Sequence, residues 1–510
     1  MSEPTTQAPA YEKRKRSKAP LITSIIVVLA LVVATVLFFT LRPTAEPAAA
    51  KTDINIGLVL EPTSLDVRTN AGVATGQILI DNVYQGLVGI APGTVADIQP
   101  VLATDMPEVS DDGLTYTFTV RDDVKFHSGS ALTVDDVVDS LSTTLVPESV
   151  GFSAAVAAAG DKQVTVTLEQ PNSLLLWQLA NTPGLILESA ATNELQNSAN
   201  GTGPFVFDEW KQGDSITLVK NDDYWGEPTT LESATFRFFP EGRAAVNALK
   251  DGDIDVHTAL LSPLRAEFEG NADFTMVRAS GTDVFTLAYN NAKAPFDDIR
   301  VRQALSMAID SEALVASQNG DAKVLGSPIT EGEPGYKDLT SVNAYDPEAA
   351  RQLLADAGQQ NLSLTITVPN FYETSSLDLI TSQFAEIGVS AKVNPVEFPT
   401  WLSEVYTNHD FDLSYVDHAE ARDFGNYVRD GYYFGYSNPE VASLYADALA
   451  STDPAQEDEL LQQAATIVAE DAPAKWLFNY TPTNVVSSHV SGFPEVNTNS
   501  RVNLAGVTVE

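Results

Sequence analysis

Between Tyr415 and Tyr427 the sequence reads YVDHAEARDFGNY. Asp417, His418, Glu420, Arg422 and Asp423 put five ionisable groups within seven residues. Both signs of charge are present. Glu420 or Asp423 could hold an ammonium, and Arg422 could grip a carboxylate through a two-pronged hydrogen bond. A small zwitterion offers both partners at once. The plainer alternative is a solvated loop whose internal salt bridges contribute about 0–1 kcal/mol. Placement favours the first reading, because the cluster follows an apolar strand and ligands of open α/β sheets bind beyond strand carboxyl ends. The adjoining NYVRDGYYFGY (426–436) adds five aromatics, which could wall a pocket or simply pack in a core.

The elements around this cluster must position it. LSLTITV (362–368) alternates with a period of two and predicts a strand. SSLDLITSQFAEIG (375–388) predicts a helix stopped by glycine, and VSAKVNPV (389–396) a second strand. Together they form a βαβ unit, so the two strands are expected to be parallel. FDLSYV (411–416) reads as a further strand after a helix around Trp401–Tyr406. Two loops then fall at strand carboxyl ends: PNFYET (369–374), which contains Tyr372, and DHAEARDFGNY (417–427).

Other stretches set the frame. LTYTFTV (114–120) predicts a half-buried strand. LTVDDVVDSL (132–141) predicts a helix with Thr133 as N-cap and Asp136 closing a capping box. PFDDIRVRQALSMAID (295–310) is amphipathic, with Val301, Ala304, Leu305, Ala308 and Ile309 on one stripe. YDPEAARQLLADAG (345–358) has Asp346 as cap, Pro347 at the first helical position and Gly358 as stop. GTGPF (201–205) reads as a turn in which Gly and Pro meet special backbone angles, and DYWG (223–226) as a packing turn.

Several chemistries are disfavoured. The chain has no cysteine, which removes disulfides, thiolate nucleophiles and iron–sulfur ligands. Its histidines are His127, His257, His409, His418 and His489, none at a tight metal-ligand spacing, and no metal or other cofactor is expected. G-x-S-x-G, P-loop and H-E-x-x-H motifs are absent, so no enzyme is indicated. The formal net charge is −40. Residues 1–42 carry six basic and two acidic groups, leaving 23 basic against 67 acidic groups beyond them. Such a surface repels phosphate backbones, which excludes nucleic acid as a natural partner.

Leu21–Leu41 is a 21-residue run without charge. As a helix it would be about 30 Å long, one bilayer core. The basic cluster Lys13–Lys18 precedes it, so the positive-inside rule leaves residues 1–20 in the cytoplasm and the bulk outside. A cleaved signal peptide is the competing reading, with Ala48, Ala49 and Ala50 as small residues for a peptidase. The length of the run favours an uncleaved anchor followed by a short Pro/Ala-rich linker, residues 42–52.

SDDGLTYTFTVRDDVKFHSGSALTVDDVVDSL (110–141) resembles the best-known signature of the family 5 extracellular solute-binding proteins, which serve dipeptide, oligopeptide and nickel ABC importers. GTGPF (201–205), KNDDYWG (220–226), ALKDGDIDV (248–256) and the helices at 295–310 and 345–358 are similar to further family motifs, in the family's order. The resemblance spans about Ile54 to Leu504. It implies a two-lobed α/β fold of the periplasmic-binding-protein type, class II with an extra subdomain. The first lobe would take 53–283, with the subdomain at about 89–200; the second 284–480; and 481–510 would return to the first. It also implies a monomer that captures a peptide or other small solute by lobe closure and hands it to a membrane permease driven by an ATPase. The sequence leaves open a receptor for a metallophore or nickel chelate, or a tethered sensor that no longer serves transport.

In dipeptide receptors of this family the segment matching 415–427 carries a Trp, an acid that holds the ligand amine, and Asp-Pro. Here the Trp aligns near His418, the acid near Glu420 to Asp423, and the Asp-Pro is missing. The family's carboxylate-binding arginine aligns near Tyr372, which leaves Arg422 to take that role. The candidate substrate-binding set is therefore Tyr372, Tyr415, His418, Glu420, Arg422 and Asp423.

Overall fold

The computed structural model describes residues 52–68, 73–95, 97–189, 194–279, 281–372, 374–496 and 500–510. The proposed anchor Leu21–Leu41 and the basic tail lie outside them. Among the described residues no helix is long and apolar enough to cross a membrane.

Two large sheets organise the chain. The seven-stranded sheet runs in the order Phe274–Arg278, Thr483–Ser487, Val256–His257, Asp53–Leu58, Ser233–Phe238, Ser215–Lys220, Phe205–Lys211. The six-stranded sheet runs Ala322–Lys323, Ala474–Tyr480, Val284–Tyr289, Leu413–His418, Ser363–Pro369, Ser390–Val396. The chain therefore passes from the first sheet to the second between Arg278 and Val284 and returns between Tyr480 and Thr483. These two crossings lie side by side, with the Ala279 amide donating to the Pro482 carbonyl at 2.9 Å. A separate four-stranded antiparallel sheet, Glu108–Val109, Thr115–Thr119, Gln163–Leu168 and Ala154–Ala158, packs with helix Val134–Thr144.

Local chemistry explains the elements. Thr133 and Asp136 form the reciprocal capping box. Asp346-Pro347, Asn438-Pro439 and Asp453-Pro454 each open a helix, the polar side chain accepting from first-turn amides and the proline sitting where no N–H is required. The 295–310 segment is shorter as a helix than expected. Asp298 caps Ile299–Met307, and Asp310 caps a new helix, Ser311–Ser317. Its apolar stripe is buried as expected, with Val301, Ala304, Leu305, Ala308 and Ile309 all in the second sheet's core. The expected helix around Trp401–Tyr406 begins as Phe398–Trp401 and continues as a π-helical turn, Leu402–Thr407.

GTGPF corrects an expectation. Neither Gly201 nor Gly203 has a positive φ. Both are needed for close approach: a Cβ would fall 2.0 Å from the Val83 carbonyl oxygen at Gly201 and 2.4 Å from that of Asn82 at Gly203. His127 braces this loop, taking the Gly201 amide on Nδ1 and facing the Gly203 carbonyl with Nε2 at 3.0 Å. DYWG packs as expected, with Tyr224 and Trp225 both bonded to Gln85 and Arg121 over the Trp225 ring.

Candidate functional site

The βαβ unit forms as its pattern requires. Ser363–Pro369 pairs in parallel with Ser390–Val396 across helix Ser375–Glu386, and also in parallel with Leu413–His418. The loops after Pro369 and His418 therefore leave the same sheet edge. Val284–Tyr289 is antiparallel to Leu413–His418 and to Ala474–Tyr480. Its first residues and the end of Ala474–Tyr480 reach that edge too. This edge floors a cavity of about 990 Å³ whose other walls include Val59 and Leu60 beside the first sheet and Trp177 near the four-stranded sheet. Its volume is at the upper end of the small-molecule range.

All six sequence candidates line this cavity: Tyr372, Tyr415, His418, Glu420, Arg422 and Asp423. They are not equivalent. The Tyr372 hydroxyl accepts the Asp417 amide at 3.1 Å, tying the two loops together. Tyr415 is buried and packs its ring on Phe285. His418 is held between the Asp423 carboxylate at 3.5 Å and the Tyr433 hydroxyl at 2.9 Å, and stacks flat on Phe434. Glu420 is exposed to the cavity, with the cleft walls close enough to desolvate its carboxylate in part. That desolvation, then Asp423, raises its carboxyl above the ordinary value, against His418 and Arg429.

Arg422 adopts a left-handed conformation, φ 57° and ψ 34°, uncommon for a residue with a side chain. Its amide donates to Glu333 Oε2 at 2.7 Å, and its guanidinium carbon lies 5.4 Å from the Trp177 ring centroid. The strained backbone thus points the side chain across the cleft onto an aromatic face. Ser173 adds two cross-cleft bonds, its amide to the Leu449 carbonyl at 3.0 Å and its hydroxyl to Glu457 at 2.8 Å. Of the five aromatics in 426–436, Tyr432 and Tyr433 reach the cavity. Tyr427 and Phe434 are core, and Tyr436 binds Asp471.

Three comparisons place this geometry. The model for bacterial extracellular solute-binding proteins, family 5, matches residues 97–439. The chain belongs to that family. It is 29% identical to the heme-binding protein A of Haemophilus influenzae over 444 residues, 77% of this chain and 80% of the relative. It is also 29% identical to the probable D,D-dipeptide-binding periplasmic protein DdpA of Escherichia coli over 493 residues, covering 88% and 93%. The fold superimposes on the periplasmic binding protein DppA of Helicobacter pylori, solved with the peptide STSA, with TM-score 0.80 at 23% identity, covering 90% of this chain and 98% of that one. This family 5 chain thus has the two-lobed α/β fold of periplasmic binding proteins. It is a solute-binding component of an ABC importer, not an enzyme.

Sequence reasoning left out five charged residues of the cavity: Asp283, Asp417, Arg429, Asp430 and Arg501. Asp417 was visible in the cluster, and Arg429 in the aromatic run. Asp283 stands 134 positions before Asp417 and only sheet pairing brings them together. Its one local signal is a carboxylate at the mouth of the otherwise uncharged strand VFTLAY.

Proposed function

We propose that this family 5 protein binds peptides in the cleft between its two lobes, residues 53–283 with 481–510 and residues 284–480, and delivers them to its permease. The observation that carries the reading is the cavity's size combined with both signs of charge on one wall: Glu420 and Asp423 for an amine, Arg422 and the exposed Arg429 for a carboxylate. A cavity of this volume with both charges on its wall suits a short peptide, and the names of two relatives, a dipeptide receptor and a peptide-bound receptor, support it. Arg422 already lies on Trp177, so Arg429 is the freer carboxylate partner. Tyr372, Tyr415 and His418 shape the wall and hold the charged loop in place.

Native mass spectrometry on the purified protein with a mixture of di- to pentapeptides tests this. Retention of peptides with free termini, and loss of retention on Arg429→Ala or Glu420→Gln, is the expected result. No retained peptide at any length would overturn the reading.

Residues 21–41 act in this proposal as a membrane tether, which keeps the receptor beside its permease at raised effective concentration. Intact protein mass from the membrane fraction should include residues 1–41. A mature start at Lys51 would instead mark the run as a cleaved signal.

A further inference from the structure

Two carboxylates stand together on the cavity floor. Phe285 pairs directly with Asp417, and Val284 with His418, in the antiparallel ladder. Residues opposite one another share a face, and residues two apart along a strand do as well. Asp283, Phe285 and Asp417 therefore project from the same side of the sheet, with Asp283 diagonal to Asp417. Tyr480, whose amide donates to the Asp283 carbonyl at 2.8 Å, stands next to them. The Phe285 ring meets Tyr372 at 5.0 Å and Tyr480 at 5.3 Å, both edge-on.

Asp283 is only 3% exposed, lines the cavity, and its Oδ1 has no hydrogen-bond partner among the described residues. Asp417 Oδ1 is buried and unpartnered in the same way. A buried acceptor left without a donor is costly, and two like charges side by side cost more. Native chains keep such an arrangement where something else meets it.

We propose that Asp283 and Asp417, framed by Phe285, Tyr372 and Tyr480, form a subsite for an organic cation, an ammonium or guanidinium group carried by the ligand. An organic cation satisfies both observations. It donates to two acceptors at once, and its flat or apolar surface meets aromatic rings. A bare metal ion fits worse, since two carboxylates supply few ligands and no group of three or more acidic or histidine side chains gathers among the described residues. The inference rests on the cleft being the solute site and deepens the peptide reading: the preferred peptides carry a lysine or arginine side chain.

The subsite is also proton-sensitive. Burial, then Asp417, pushes Asp283 well up; burial pushes Asp417 to about 7, with His418 opposing. The other groups facing the pair are Tyr372, Tyr415 and Tyr480, with Asp321 acting on Tyr480; burial holds the Tyr372 and Tyr480 phenols protonated. In acid the pair is neutral, and a cation must displace its proton. Cation affinity should rise with pH toward and through neutrality.

Calorimetry with Ala-Lys-Ala, Ala-Arg-Ala, their neutral counterparts Ala-norleucine-Ala and Ala-citrulline-Ala, and free agmatine tests this at pH 5.5 and pH 8. The charged tripeptides should bind at least about 30-fold tighter than the neutral ones at pH 8. The gap should narrow at pH 5.5 and vanish in the D283N/D417N protein. Charged and neutral tripeptides binding within threefold of one another in the unaltered protein would overturn the proposal, and that comparison stands even if the variant fails to fold. Agmatine binding that depends on both aspartates, with no tripeptide bound, would support the subsite while sinking the peptide reading. Binding of neither charged tripeptides nor agmatine would overturn the subsite.

Discussion

Two buried acidic sites lie close to the crossings between the sheets, and the chain treats them in opposite ways. Asp321 is fully buried, and its carboxylate is met on every side. Arg265 lies 2.5 Å from Oδ1, the Thr483 hydroxyl 2.8 Å from Oδ1, and the Ser262 hydroxyl 2.8 Å from Oδ2. All three partners come from the stretches that build the seven-stranded sheet, so Asp321 pins one sheet's region to the other. Asp283 lies on one of these crossings and Asp417 on the neighbouring strand paired with Val284–Tyr289, and each keeps an oxygen with no donor on the protein among the described residues. The same fold can therefore satisfy a buried carboxylate completely. Leaving two of them open on a cavity floor marks a place for a partner from outside, whereas Asp321 marks a structural joint.

The largest effect is expected at Arg265. Replacing it with alanine leaves the Asp321 charge buried without its main partner, which should destabilise the protein by about 3–5 kcal/mol. Urea unfolding measures this, and a loss under about 1 kcal/mol would mean that Asp321 does not join the two regions. Cleft carboxylates should behave differently. Glu420→Gln is expected to leave unfolding nearly unchanged while weakening a bound peptide by about 2–5 kcal/mol. A variant that melts early but binds normally would move Glu420 to the structural class.

The unpartnered pair predicts a pH dependence of opposite sign to that of a salt-bridged acid. Asp417 is raised from 3.8 to about 7 in the folded state. Folded protein thus keeps a proton that the unfolded chain has already lost above about pH 4. The stabilisation from this group is complete below that pH and disappears as pH rises through about 7. Ligand-free protein should melt progressively lower across that window, and the D283N/D417N variant should flatten the slope. A melting temperature that rises over the same window and is insensitive to the double substitution would contradict the raised pair.

The smallest effect belongs to the cross-cleft bonds. Ser173→Ala removes the hydroxyl bond to Glu457 but keeps the amide bond to Leu449. Loss of one such bond is worth about 0.5–1.5 kcal/mol, or about 1.5–3 where the acceptor is ionised. Small-angle scattering should show a modestly larger radius of gyration for this variant without ligand and the same compact form with peptide. An identical radius in both states would show that Ser173 does not help hold the cleft shut.

Much of the scaffold was legible because its signals are local. Thr133 with Asp136, Asp346 with Pro347, and the alternation in LSLTITV each act over a few residues, so neighbouring sequence contains the whole cause. The cluster 417–423 was legible for the same reason: its charges are contiguous and follow an apolar strand. GTGPF was misread in mechanism, since its glycines answer to the carbonyls of Asn82 and Val83, about 120 residues earlier in the chain.

By itself, then, the sequence determined the βαβ unit, the capped helices, the acidic balance and the loop that would carry charge toward a ligand, because periodicity and capping are fixed by bonds between near neighbours. Only the tertiary structure decided which charges are spent on the fold and which remain for a solute. Asp321 and Asp283 look alike in sequence, each a lone aspartate just before a strand. One meets Arg265, Ser262 and Thr483, the other meets Asp417, and both pairings cross more than fifty residues of chain. Burial and the identity of the facing side chain set a carboxylate's free energy, and neither exists until the sheets have assembled.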